Sequence, residues 1–155
     1  MKRPIKKGIF SLVLLFVAVV FAACSGGASS KSKTYVKEDP SMNVEMIFTY
    51  EGDKVTHQKT INTMPYTSLG VTTKEDAQAI LDPIAAEYQG HDGLTEKIDY
   101  KEDHLVEVVE IDYSVVNVEE IRDIAGMVFE GDVSNGISLK RSEEMLLEQG
   151  FTEKK

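Results

Sequence analysis

One thiol, three imidazoles and a run of carboxylates are the groups from which this chain could build reaction chemistry. The thiol is Cys24, the single cysteine, at the point where an apolar run ends in Phe21-Ala22-Ala23-Cys24. It has no intrachain disulfide partner, so its thiol needs another use. Two small residues before a cysteine suit alkylation by diacylglycerol followed by proteolysis. Ala22 and Ala23 let an extended backbone enter a peptidase, and cleavage between Ala23 and Cys24 frees the cysteine amine. The expectation is lipidation at Cys24 and signal cleavage at Ala23–Cys24.

The residues upstream agree. Lys2, Arg3, Lys6 and Lys7 precede an apolar run from Ile9 to Ala23 broken only by Ser11, the charged and apolar regions of an export signal. The run is short for a spanning helix, which needs roughly twenty apolar residues. Phe21-Ala22-Ala23-Cys24 resembles the bacterial lipobox, with Phe21 in place of the usual leucine. Two acyl chains, at about 0.8 kcal/mol per buried methylene, hold a protein at a bilayer without a membrane-spanning segment.

The other reactive groups assemble into nothing recognisable. His57, His91 and His104 stand far apart, outside the close ligand pairs that structural zinc draws on. His57 on a polar strand and His104 in a turn should face solvent, and His91 suits a tight loop in Gly90-His91-Asp92-Gly93. Asp132, Ser134 and Asn135 have the composition of a calcium loop, but Gly136 falls too early and the bidentate glutamate is missing. Glu102, Asp103, Glu107, Glu110 and Asp112 could pair as acid and base. Such pairs need environments that separate their pKa values, and these residues read as a solvated face. GxSxG, GxxxxGK[ST] and GxGxxG are absent. No catalytic residue, metal site or cofactor is expected.

Residues 1–23 hold four of the 17 basic residues and none of the 26 acidic ones, so the processed chain has 13 against 26, a net charge of −13. Nucleic acid and anionic headgroups would repel such a surface. Attachment to the membrane would then come from acyl chains on Cys24, and partners from envelope proteins, peptides or small ligands.

Residues 24–40 read as the lipidated cysteine and a flexible Gly/Ser tether. Residues 41–155 suffice for one domain. Val44, Met46, Phe48 and Tyr50 alternate onto one face of a strand, and Glu51-Gly52-Asp53-Lys54 turns it into a more polar strand expected at a sheet edge or half-exposed. A helix follows, capped by Thr72 with Glu75, its apolar stripe continuing in phase past Pro83. Leu94 to Val116 forms a second hairpin turning near Lys101 to His104. A short helix capped by Asn117 and a last one capped by Ser138 complete the plan, with Gly150-Phe151 closing the last helix in a Schellman turn. This predicts an α+β fold, an antiparallel sheet of two hairpins with two to three helices on one face. Met64, Pro65 and Tyr66 are left as a candidate partner-binding rim beside the sheet.

YEGDKV, SLGVTTKEDA, LDPIAAEY, GLTEKIDY and ISLKRSEEMLLEQGF, in that order, resemble the YehR-like family of small uncharacterised bacterial lipoproteins. The resemblance spans about Tyr50 to Phe151. It implies lipid attachment at Cys24 and a compact α+β domain, and carries no catalytic residue over. The functional expectation is a non-catalytic binding module of the envelope on the extracytoplasmic membrane face, or at the outer membrane in a host with two membranes. The alternatives are an enzyme acting on envelope polymers through a carboxylate pair, or a metal-handling lipoprotein.

Intact mass spectrometry of the membrane fraction tests the anchor. The expected species begins at Cys24 and carries diacylglycerol; a free thiol with residues 1–23 retained would contradict it.

Overall fold

The computed structural model describes residues 30–129 and 133–155, so the expected lipidation and cleavage sites at Ala23 and Cys24 lie outside the described residues. Two hairpins form the centre of one antiparallel sheet. Strands β2 (Asn43–Glu51) and β3 (Lys54–Pro65) flank the turn at Gly52, whose φ of 61° suits glycine. Strands β4 (Leu94–Tyr100) and β5 (His104–Asp112) form the second hairpin. Three further strands join them: β1 (Lys31–Lys37), β6 (Ile137–Ser138) and β7 (Thr152–Lys154). The order is β4-β5-β3-β2-β1-β7, with the short β6 paired to β3.

Two expectations are corrected here. The tether was expected to run to residue 40, but Lys31–Lys37 is a strand paired with β2, Tyr35 opposite Met46. Its charged residues hid Tyr35, which is 1% exposed and lies in the core. The polar β3 was expected at an edge or half-exposed; it is no edge, pairing with β2 on one side and β5 on the other, and most of its residues are half-buried. Its polarity therefore has another cause.

Helix α1 (Lys74–Glu87) is capped by Thr73, one residue later than expected; the Thr73 hydroxyl accepts from the Asp76 amide. Pro83 sits inside this single helix, whose Ile84 packs towards Tyr88 and the β4–β5 strands. Helix α2 (Val118–Ile121) is capped by Asn117, and α3 (Leu139–Glu148) by Ser138, as expected. The Gly150 and Phe151 amides bond back to Leu147 and Leu146, closing α3 and burying Phe151.

Apolar packing falls into separate groups. Tyr35, Val44, Phe48, Leu139, Leu146 and Phe151 cluster where α3 covers β1 and β2. Tyr88, Leu94, Val109, Ile111, Ile121 and Ile124 cluster where α1 and α2 meet β4 and β5. Tyr66, Ala77 and Leu105 form a third group with Leu81 and Ile98. Polar contacts fix α3 in place. At its start, Asp53 accepts from the Lys140 amide at 2.9 Å and the Ser138 hydroxyl at 2.7 Å, and these bonds hold its carboxyl below the ordinary range. One turn on, Glu143 Oε1 accepts from Tyr35 and from Lys33, both at 2.5 Å. Burial alone would raise the Glu143 carboxyl; the two donors outweigh it and hold it low.

Phe48 is 2% exposed at the centre of its cluster. Phe48→Ala should cost about 3–5 kcal/mol in urea unfolding, and Ser138→Ala about 1 kcal/mol through the lost cap. Equal, negligible losses would contradict this packing.

Candidate functional site: a cleft floored by the central strand

Strand pairing assigns the helix-covered face residue by residue. One row across the sheet runs Leu94, Ile111, Gln58, Phe48; the next runs Glu96, Val109, Thr60, Met46, Tyr35; a third runs Ile98, Glu107, Asn62, Val44. Apolar residues flank the centre, and β3 contributes Gln58, Thr60 and Asn62. Burying such groups under a dry helix costs about 1–3 kcal/mol each unless they are paired. The helices instead pack to either side and leave a cleft of about 580 Å³ above β3.

Floor and walls differ in chemistry. On the floor, Tyr113 donates to Gln58 Oε1 at 2.8 Å, Gln58 donates to Thr60 at 3.3 Å, and Asn62 donates to Glu107 Oε2 at 2.7 Å. Met42, Met46, Met127 and Met145 line the cleft, four of the chain's six methionines. Their unbranched thioethers adapt to ligand shape. The segment from Ala125 to Phe129 forms a rim, held by the Tyr88 hydroxyl bonded to the Ala125 carbonyl at 2.6 Å. Gly126 has φ 91° and passes so close that a Cβ there would stand 3.0 Å from the Tyr88 oxygen. Glycine is required at that contact.

Among the singled-out acids, Glu110 pairs with Lys59 at 2.6 Å, and Asp112 accepts from Ser114 and lies 3.2 Å from His57 Nε2. Asp103 meets His104 at 2.7 Å. Glu107 departs from the expected solvated face: it shares parity with Val109 and Ile111, and lines the cleft. Glu96 follows the same rule, being two residues from Leu94 and Ile98 on the inward face. Its Oε1 is buried without a hydrogen-bond partner among the described residues. Burial, and then the charges of Glu107 and Asp82, push its carboxyl up to about 7. Glu96 is not part of the cleft lining.

Of the expected rim, Tyr66 is closed, whereas Met64 and Pro65 are half-buried and Pro65 lines a second recess with Asn43, Thr63 and His104. Met64 and Pro65 end β3, and Tyr66 is 1% exposed, its hydroxyl donating to the Lys101 carbonyl at 2.7 Å. Proline and tyrosine beside a strand read as surface; burial of the ring beneath α1 could not be read from spacing. Asp132 lies outside the described residues. No group of three or more His, Cys, Asp or Glu among the described residues could hold a metal, and none of their helices is long and apolar enough to cross a membrane.

As its pKa is raised in the fold, Glu96 is protonated in the folded chain at pH values where the unfolded chain has already released that proton. Its contribution is complete near pH 4 and is lost as pH rises from about 4.5 to about 7. Glu96→Gln should flatten that part of the stability profile and raise Tm at pH 8. An unchanged slope would contradict the assignment.

Residues 31–152 match the model of a family described as a protein of unknown function, DUF1307. An uncharacterized lipoprotein of Listeria innocua is 42% identical over 151 residues, covering 97% of each chain. The uncharacterized lipoprotein YehR of Escherichia coli is 32% identical over 148 residues, 95% of this chain and 96% of that one. The solved structure of the E. coli YehR protein superposes with a TM-score of 0.72 at 31% identity, covering 83% of this chain and 93% of the other. The chain belongs to this DUF1307 family, whose relatives in Listeria and E. coli are lipoproteins without an assigned activity.

Proposed function

We propose that this chain is a lipid-anchored, non-catalytic binding module displayed on the extracytoplasmic face of the membrane, and that the cleft above β3 is its ligand site. The cleft carries the reading. Its volume of about 580 Å³ lies within the roughly 300–1,000 Å³ of small-ligand sites. Its construction, adaptable apolar walls over a few fixed polar groups, is also that of such sites. The anchor is supported by Cys24 after Ala22-Ala23 and by the lipoprotein relatives. The non-catalytic reading is supported by where the two inward carboxylates open, although they are diagonal neighbours on β4 and β5. Glu96, with its raised pKa, has the property of a general acid, but it lies outside the cleft that Glu107 lines.

Methionine methyl groups report on this site directly. With the full chain in lipid nanodiscs and methyl-labelled methionine, millimolar indole should shift the Met42, Met46, Met127 and Met145 signals and leave Met64 in place. Shifts confined to Met64, or none at all, would overturn the cleft as a binding site.

A further inference from the structure

Among the described residues, two charged side chains line the cleft, and they have opposite signs. Glu107 lies on the floor, half-buried; its Oε2 accepts from Asn62, and its Oε1 takes no hydrogen bond among the described residues. Glu107 forms no ion pair among the described residues. Arg141 stands in the first turn of α3, exposed, and its guanidinium forms no ion pair there either. Elsewhere on the domain, by contrast, Glu143, Glu110 and Glu45 each meet a lysine. A carboxylate on one side of an apolar cleft and a guanidinium on the other, neither in an ion pair among the described residues, are complementary to a ligand bearing an ammonium and a carboxylate separated by apolar groups.

Sheet geometry sets a minimum length for that ligand. Glu107 belongs to β5, and α3 packs over β1 and β2. Strands are spaced roughly 4.8 Å apart, so two steps from β5 to β2 cover about 10 Å across the sheet; along it, α3 starts where Ser138 pairs with Lys54, while Glu107 pairs with Asn62, so the two groups are also offset along β3. That crossing is a minimum, and three residues of extended peptide, at 3.3–3.6 Å each, are the shortest that cover its roughly 10 Å. Since β3 is hydrogen-bonded on both sides along the floor, a peptide there cannot add as a strand and must be recognised by side chains.

Resting on the cleft reading above, we infer that the cleft takes a short apolar peptide of at least three residues, its N-terminal ammonium at Glu107 and Asn62 and its C-terminal carboxylate at Arg141. The methionine walls receive the side chains with little regard to their identity. Specificity is for free peptide ends and apolar character.

Titrating the full chain in nanodiscs with tri-leucine, N-acetyl-tri-leucine and tri-leucine amide tests this, read by the same methionine methyl signals. Free tri-leucine should bind, and blocking either end should weaken binding at least about tenfold. Glu107→Gln should reproduce the loss from acetylation and show no further loss with the acetylated peptide; Arg141→Gln should do the same for the amide. Both substitutions keep a polar side chain of similar size, and an unchanged Tm confirms an intact fold. Equal affinity for free and blocked peptides would overturn the peptide inference. So would tri-leucine failing to bind while indole still shifts the cleft methyls, and in both cases the cleft reading survives. Failure of indole as well would overturn the two together.

Discussion

Three polar side chains occupy the middle of a sheet face that has to be covered. Gln58, Thr60 and Asn62 lie between the apolar inward residues of β2 and β5. A helix packed directly over them would remove their water without supplying enough partners. The apolar groups therefore separate, one under α3 and one under α1 and α2, and the space between them stays open. The cleft is a consequence of that strip, and the placement of Glu107 beside Asn62 follows from the same pairing register.

An open centre requires that each flank be held independently. On the α3 side, Asp53 in the first hairpin turn binds the start of the helix, and Glu143 ties its middle to Tyr35 and Lys33 on β1. On the other side, the buried Tyr88 holds the Ala125 carbonyl, so the end of α1 fixes the segment that rims the cleft. These contacts are polar but local, and each joins elements far apart in sequence. They position the walls without filling the space between them.

Much of the fold was legible in the sequence because it rested on local signals. Glu51-Gly52-Asp53-Lys54 marked one hairpin, Asn117 and Ser138 marked two helix starts, and Gly150-Phe151 marked a helix end. Signals that depend on partners far along the chain were lost. Lys31–Lys37 has the composition of a tether, and only pairing with β2 makes it a strand. The polarity of β3 suggested an edge or a half-exposed strand; that it is central and floors a cleft is a tertiary feature. For Glu96 and Glu107 the signal was present: strand parity with Leu94, Ile98, Val109 and Ile111 puts both inward. For Glu107, charge suggested solvent, and parity was the better guide.

Met46 stands opposite Thr60 at the centre of the sheet, where a closed α+β sandwich would be dry. Its methyl signal in the full chain, recorded with a small neutral soluble nitroxide, measures whether the space above β3 is open. Strong broadening of Met46 is the predicted result. A Met46 methyl that stays as sharp with the nitroxide as without it would mean that the helices close over the polar strip, and the cleft would not exist.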